Sequence, residues 1–94
     1  MSKNLQQIFE RNKDFPWQTM GEDTLIIEPK QQMSHEISGS GSYIWEMLDG
    51  QKTLASIAES MEQVFDAPTD ALQADILNFI SQLAGKGLVL CRSL

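Results

Sequence analysis

The stretch IWEMLDGQKTLASIAESM, residues 44–61, runs from the end of one amphipathic helix into the start of another with almost nothing between them. Ile44, Met47 and Leu48 form an apolar stripe, and Gly50 supplies the left-handed conformation that ends helices, so the first helix stops at Asp49 or Gly50. Thr53 then offers a hydroxyl as N-cap, and Leu54, Ile57, Ala58, Met61, Val64 and Phe65 keep helical spacing behind it. Helices joined this tightly make a helix-turn-helix unit, which raises the question of whether the unit reads DNA.

Upstream, SGSGSY at 38–43 gives Ser38 or Ser40 as the cap of the first helix. Before it the pattern becomes extended: FPWQTM (15–20), TLIIE (24–28) and QMSHEI (32–37) are separated by GED and PKQ, both with turn chemistry. These segments predict a three-stranded antiparallel meander. In its third strand Met33, His35 and Ile37 alternate with Gln32, Ser34 and Glu36, the period-two signature of a sheet with one wet face, and its outer edge is open. In residues 1–12, Leu5, Ile8 and Phe9 stand at helical spacing behind Ser2, which fits a short helical turn, while the flanking charge fits a frayed tail.

Downstream, DAPT at 66–69 breaks the chain. From Asp70 to Ala84 a third helix follows, with Leu72, Ile76, Phe79, Ile80 and Leu83 on one stripe, Leu77 and Ala84 beside it, and GKG at its end. LVLC at 88–91 adds a short terminal strand. The expected fold is therefore α+β and winged-helix-like: a three-stranded antiparallel meander, three α-helices and a short C-terminal strand, as one domain over 1–94.

Composition narrows the function. The 94 residues are 41% apolar, enough for a modest core without staples. One cysteine, Cys91, excludes an internal disulfide, and with a single histidine, His35, it cannot assemble a zinc site. No apolar run suits a signal peptide or a membrane span, so a soluble, cytoplasmic protein is expected. The formal charge is −6, and from Met33 to Gly85 Lys52 is the only cation among eight acidic residues. Such a surface repels a phosphate backbone. The third helix carries Gln73, Asn78 and Gln82 toward any base but no cation to hold the backbone, which argues against DNA as partner.

The chemistry-bearing residues have bland readings beside their sharp ones. His35 has no second ligand or base partner in the pattern, so a structural or peptide-contact role is expected. Cys91 reads as a small buried hydrophobe. Trp17 and Trp45 read as packing between the sheet and the first helix. Asp75 sits mid-helix, where aspartate is a poor helix former; a solvated face and a polar role at a groove are equally compatible with it. GSGSY at 39–43 lacks the lysine and spacing of a phosphate loop, and no catalytic triad is suggested, so the expectation is no enzyme activity and no cofactor.

Two stretches carry a family resemblance. IWEMLDG followed by KTLASIAESM resembles the apolar helix, Asp-Gly stop and Thr-started second helix of the PqqD-like family. ADILNFISQLAGKGLV is similar to that family's Asp-Val-x-x-Phe-Leu-x-x-Leu-x-x-x-Gly-Leu pattern, with Asp75, Ile76, Phe79, Ile80, Leu83, Gly87 and Leu88 at the matching positions. The chain departs from it at Ile37 and Ser38, where members commonly have Leu-Asn, and its N-terminal third differs from PqqD proper, so the peptide served is open. The resemblance implies a non-catalytic recognition element that holds the leader segment of a ribosomally made precursor peptide and presents it to a modifying enzyme, often a radical S-adenosylmethionine protein. It implies capture by strand addition along Met33, Ser34, His35, Glu36, Ile37 and Ser38. The facing helix would contribute Gln73, Asp75, Ile76, Leu77 and Ile80, with Ile76, Leu77 and Ile80 as the apolar lining and Glu36 and Asp75 selecting basic leaders. Monomers, or weak homodimers through the open edge, are expected. The competing readings are a docking adaptor that touches only the enzyme and, further off, a DNA-binding winged helix.

Overall fold

The computed structural model describes residues 4–92. A short 3-10 helix at Asn4–Gln6 leads into β1 (Ile8–Arg11), then β2 (Trp17–Met20), β3 (Asp23–Glu28) and β4 (Met33–Ser38). There follow α1 (Ser40–Met47), β5 (Asp49–Thr53), α2 (Leu54–Glu62), α3 (Thr69–Gly85) and β6 (Val89–Cys91). The strands make two antiparallel three-stranded sheets, ordered β5-β1-β6 and β2-β3-β4. The α+β class, the meander, the three helices and the terminal strand are those expected from the sequence.

Two strands were not expected. Residues read as a helical turn or frayed tail become a 3-10 turn and then β1, while Ser2 lies outside the described residues. Leu5 and Phe9 are buried, and Phe9 reaches the core from a strand, paired with Cys91. The partners of β1 lie some forty and eighty residues away, Thr53 opposite Ile8 and Cys91 opposite Phe9, so no local window contains the reason for the strand.

The second surprise lies within residues 44–61. The chain leaves α1 at Met47 and uses LDGQKT as β5 instead of a bare helix stop. Gly50 does have a left-handed φ of 82°, but it serves an irregularity in the β1–β5 register, between the pairs Ile8–Thr53 and Glu10–Asp49. A side chain there would also press on Glu10, whose Oε1 stands 3.0 Å from an added Cβ. Thr53 performs as read, ending β5 and accepting the Ser56 N–H at 3.1 Å. The α1 cap does not: Gly39, at φ 59°, holds the N-cap position without a side-chain bond, and neither Ser38 nor Ser40 caps the helix. α2 ends at Glu62, leaving Val64 exposed and Phe65 packed against the core.

α3 ends in a Schellman motif. Leu88 N–H donates to the Leu83 carbonyl at 3.0 Å and Gly87 N–H to Ala84 at 3.1 Å, with Gly87 at φ 76°. This turns the chain back so that Val89–Cys91 pairs with β1.

The core gathers Ile26, Ile44, Trp45, Leu48, Leu54, Ile57, Met61, Ile76 and Leu88. Trp45 is fully buried and meets Trp17 edge to face at 6.0 Å, joining α1 to the meander as expected of the two tryptophans. Thr24 and Ser42, both buried, share a 2.5 Å hydrogen bond that ties β3 to the same helix. Arg11 locks the other end: its Nη1 donates to the Trp45 and Glu46 carbonyls at 2.8 and 2.9 Å, and its guanidinium lies 4.9 Å from the Trp17 ring centre. Asp49, at the start of β5, accepts Lys52 Nζ at 2.5 Å and the Gln51 N–H at 3.0 Å; the Lys52 bond chiefly holds its carboxyl below the ordinary value. Cys91 is exposed, contrary to its reading as a buried hydrophobe, because β6 is an edge strand of which only Val89 is buried.

Candidate functional site

β4 is an edge strand, paired with β3 on one side only. Which of its backbone groups face outward follows from the ladder. Gly39 N–H donates to the Glu22 carbonyl at 3.2 Å, and Ile27 N–H, facing the other neighbour, donates to Pro16 at 2.8 Å. Bonded and non-bonded pairs alternate along an antiparallel ladder. Hence Thr24, Ile26 and Glu28 exchange bonds with Ile37, His35 and Met33, while Ser34, Glu36 and Ser38 turn their N–H and C=O groups to the open edge.

Side chains divide the other way. Those of Met33, His35 and Ile37 share a face with the buried Thr24, Ile26 and Glu28, toward the helices. Ser34, Glu36 and Ser38 are exposed. Met33 lies at the strand's mouth and is 49% exposed, so the inner face opens toward that end.

His35 Nε2 is bonded to Glu28 Oε2, and the two side chains keep only 18% and 12% of their exposure. A carboxylate so far from water needs its partner, which gives His35 a structural reason to stand on the inner face.

Between the β4 edge and α3 runs a groove of about 670 Å³. Its strand wall is Ser34 to Ser38, its floor includes Gly41, Ile44 and Leu88, and its helix wall is Asp75, Asn78, Phe79, Gln82, Leu83 and Lys86. The groove thus combines free backbone groups along one side with a half-buried aromatic ring and polar side chains along the other.

The expected helix wall differs from this one. Ile76 and Ile80 are 0% and 4% exposed and belong to the core, and Leu77 packs partly against that core; none of the three lines the groove, nor does Gln73. Asp75 does line it, with an exposed side chain. Met33 adjoins the groove without forming its wall, whereas Ser34, His35, Glu36, Ile37 and Ser38 all form it. Phe79, grouped with the core stripe by its hydrophobicity, is only half-buried and looks onto the groove. A signal for this was present in the sequence: Asp75, Phe79, Gln82 and Lys86 stand at i, i+4, i+7 and i+11, a second stripe beside the purely apolar one of Leu72, Ile76, Ile80 and Leu83. One aromatic among polar residues on such a line marks a half-wet face.

Among the described residues no group of three or more His, Cys, Asp or Glu side chains is placed to hold a metal ion, and no helix is long and apolar enough to cross a membrane.

The family described as coenzyme PQQ synthesis protein D (PqqD) matches residues 23–89, which span β3 through the start of β6. Among curated proteins none matches. Two solved structures share the fold. TbiB1 in complex with the TbiA(beta) leader peptide has a TM-score of 0.77 at 16% identity, over 85% of this chain and 93% of that one. Lasso peptide synthetase B1 complexed with the leader peptide has a TM-score of 0.78 at 12% identity, over 87% of this chain and 96% of that one.

Proposed function

The chain belongs to the PqqD family, and from that premise we propose that it binds the leader segment of a ribosomally made precursor peptide as an added strand on β4. It does no chemistry of its own in this reading; it presents the remainder of the peptide to a modifying enzyme, with a radical S-adenosylmethionine protein as the first candidate. The observation that carries the proposal is the open edge of Ser34, Glu36 and Ser38 facing a groove whose far wall holds Phe79. That both similar structures are complexes with leader peptides supports the same reading.

Magnitudes show why edge and groove are both needed. The three outward-facing residues offer one N–H and one C=O each, and at about 1 kcal/mol net per bond they contribute about 6 kcal/mol at most. Association costs at least about 4 kcal/mol, so backbone pairing alone leaves millimolar binding or weaker. Two apolar leader side chains buried against Phe79 and Ile37, at up to about 3 kcal/mol each, are needed to bring the complex toward the micromolar range. The edge supplies register and the groove supplies affinity.

A chaperone of this kind meets its peptide in the cytoplasm and acts as a monomer, with weak self-pairing through β4 as a competing, concentration-dependent state. The test is an amide NMR titration of the labelled protein with the leader peptide of a short open reading frame beside its gene. Shifts concentrated in residues 33–38 and 75–86 are expected. No shifts with the peptide, but shifts on adding the neighbouring modifying enzyme, would replace peptide capture by docking alone.

A further inference from the structure

We infer, resting on the peptide-capture reading above, that the groove selects its peptide by a charge register: a basic residue over the Ser38 end, an apolar centre, and an acidic residue over the Met33 end. α3 runs antiparallel to β4. A Cβ added at Gly41, just past Ser38, would lie 3.3 Å from the Phe79 ring, so the earlier part of the helix faces the Ser38 end. Lys86, at the opposite end of α3, shares a second cavity of about 570 Å³ with Pro29, Lys30 and Gln31, the turn that leads into Met33. Asp75 and Lys86 are therefore the two terminal charges of one helix line, about 16 Å apart at 1.5 Å per residue.

Neither side chain has a hydrogen-bond or ion-pair partner among the described residues. Glu36 on β4, and Asp23 opposite Ser38 on β3, turn their side chains to the outer face of the sheet, so Asp75 is the anion that the helix wall itself presents. Around Lys86 the charges are mixed. Lys30 adds a second cation, Glu28 is engaged by His35, and Asp14 is the remaining anion. Among the described residues that line the groove, Asp75 thus sets a negative charge at one end and Lys86 a positive charge at the other, with Phe79 between them.

In an extended peptide about 3.3 Å per residue separates positions, and side chains alternate between faces. Sixteen ångströms thus correspond to charges four or six residues apart on the face turned to α3. Antiparallel pairing is the more stable mode, which places the basic residue N-terminal to the acidic one. Exposed pairs are individually weak, but reversing the register turns two attractions into two repulsions, for an expected preference of about tenfold at low salt that fades as salt rises.

The experiment is selection of a displayed library of random dodecapeptides on the folded protein, on the Asp75→Lys/Lys86→Glu double variant, and on a Glu36→Pro variant as an edge-blocked control. Peptides that depend on the edge are those the control fails to enrich. The expected result is a basic–apolar–acidic order in that set, reversed on the double variant, with circular dichroism showing that all three proteins are folded. Edge-dependent peptides with no charge order, or with an order the double variant leaves unchanged, overturn the register while peptide capture stands. Equal enrichment on the edge-blocked control overturns capture itself, and the register with it.

Discussion

Replacing Gly41 with alanine probes the groove floor where it meets Ile37 of β4 and Phe79 of α3. The added Cβ would sit 2.6 Å from Ile37 Cγ2 and 3.3 and 3.4 Å from Phe79 Cε1 and Cζ, against an ordinary carbon contact of about 3.5–4.0 Å. The nearest atom belongs to a β-branched side chain with few rotamers, so relief requires Ile37 to leave its well or β4 to move outward. Two terms oppose each other. Glycine to alanine within a helix gains up to about 1 kcal/mol, and overpacking costs about 1–3 kcal/mol, so the expected net effect is a loss of about 0–2 kcal/mol. Binding should suffer more clearly, because Ile37 and Phe79 are displaced into the volume a leader side chain would fill; about a tenfold loss of affinity is expected. Urea denaturation gives the first number and calorimetric titration with a leader peptide the second. A variant that is about 1 kcal/mol more stable and binds unchanged would show that Ile37 and Phe79 do not close over Gly41, and the groove as drawn would be wrong.

Other substitutions separate edge, wall and scaffold. Glu36→Pro removes an N–H directed at the open edge, so it should abolish strand pairing by the peptide while changing stability by less than about 1 kcal/mol; unchanged affinity would rule out pairing along β4. Phe79→Ala should cost about 1–2 kcal/mol, below the roughly 3–5 of a fully buried phenylalanine, and weaken peptide binding at least tenfold; a denaturation midpoint shifted by the full core penalty would return Phe79 to the core. Arg11→Ala removes both carbonyl contacts at the end of α1 and the contact with Trp17, for an expected loss of about 2–3 kcal/mol in denaturation with peptide affinity unaltered. A variant as stable as the parent would assign that helix end to solvent.

The candidate strand was legible because its signals are local. Met33, His35 and Ile37 alternate with polar residues at a period no helix shares, and the turn residues on either side give its length. The rotation of α3 was harder to read. Phe79 and Ile80 are adjacent and both apolar, and hydrophobicity alone cannot say which lies deeper when the stripe is five residues wide. The core took Ile76 and Ile80, and Phe79 was left half-covered beside Asp75 and Gln82. Where the apolar line and the mixed line run side by side, the polar members of the mixed line are the better guide, since they do not enter a core unpaired.

Local order in the chain thus determined the helices, the Thr53 cap, the Schellman stop at Gly87, the three-strand meander and the acidic surface, because each depends on residues within a few positions of one another. Tertiary structure decided the rest. β1 becomes a strand only because Asp49–Thr53 and Val89–Cys91 arrive on either side of it, and LDGQKT becomes a strand only because β1 is there to pair with. The groove is of the same kind: a strand edge and a helix face far apart in sequence form a site when the core buries Ile76 and Ile80 and so turns Asp75, Phe79 and Lys86 toward β4. Pairing between distant segments is chosen by the free energy of the whole packed core, which no short stretch of sequence contains.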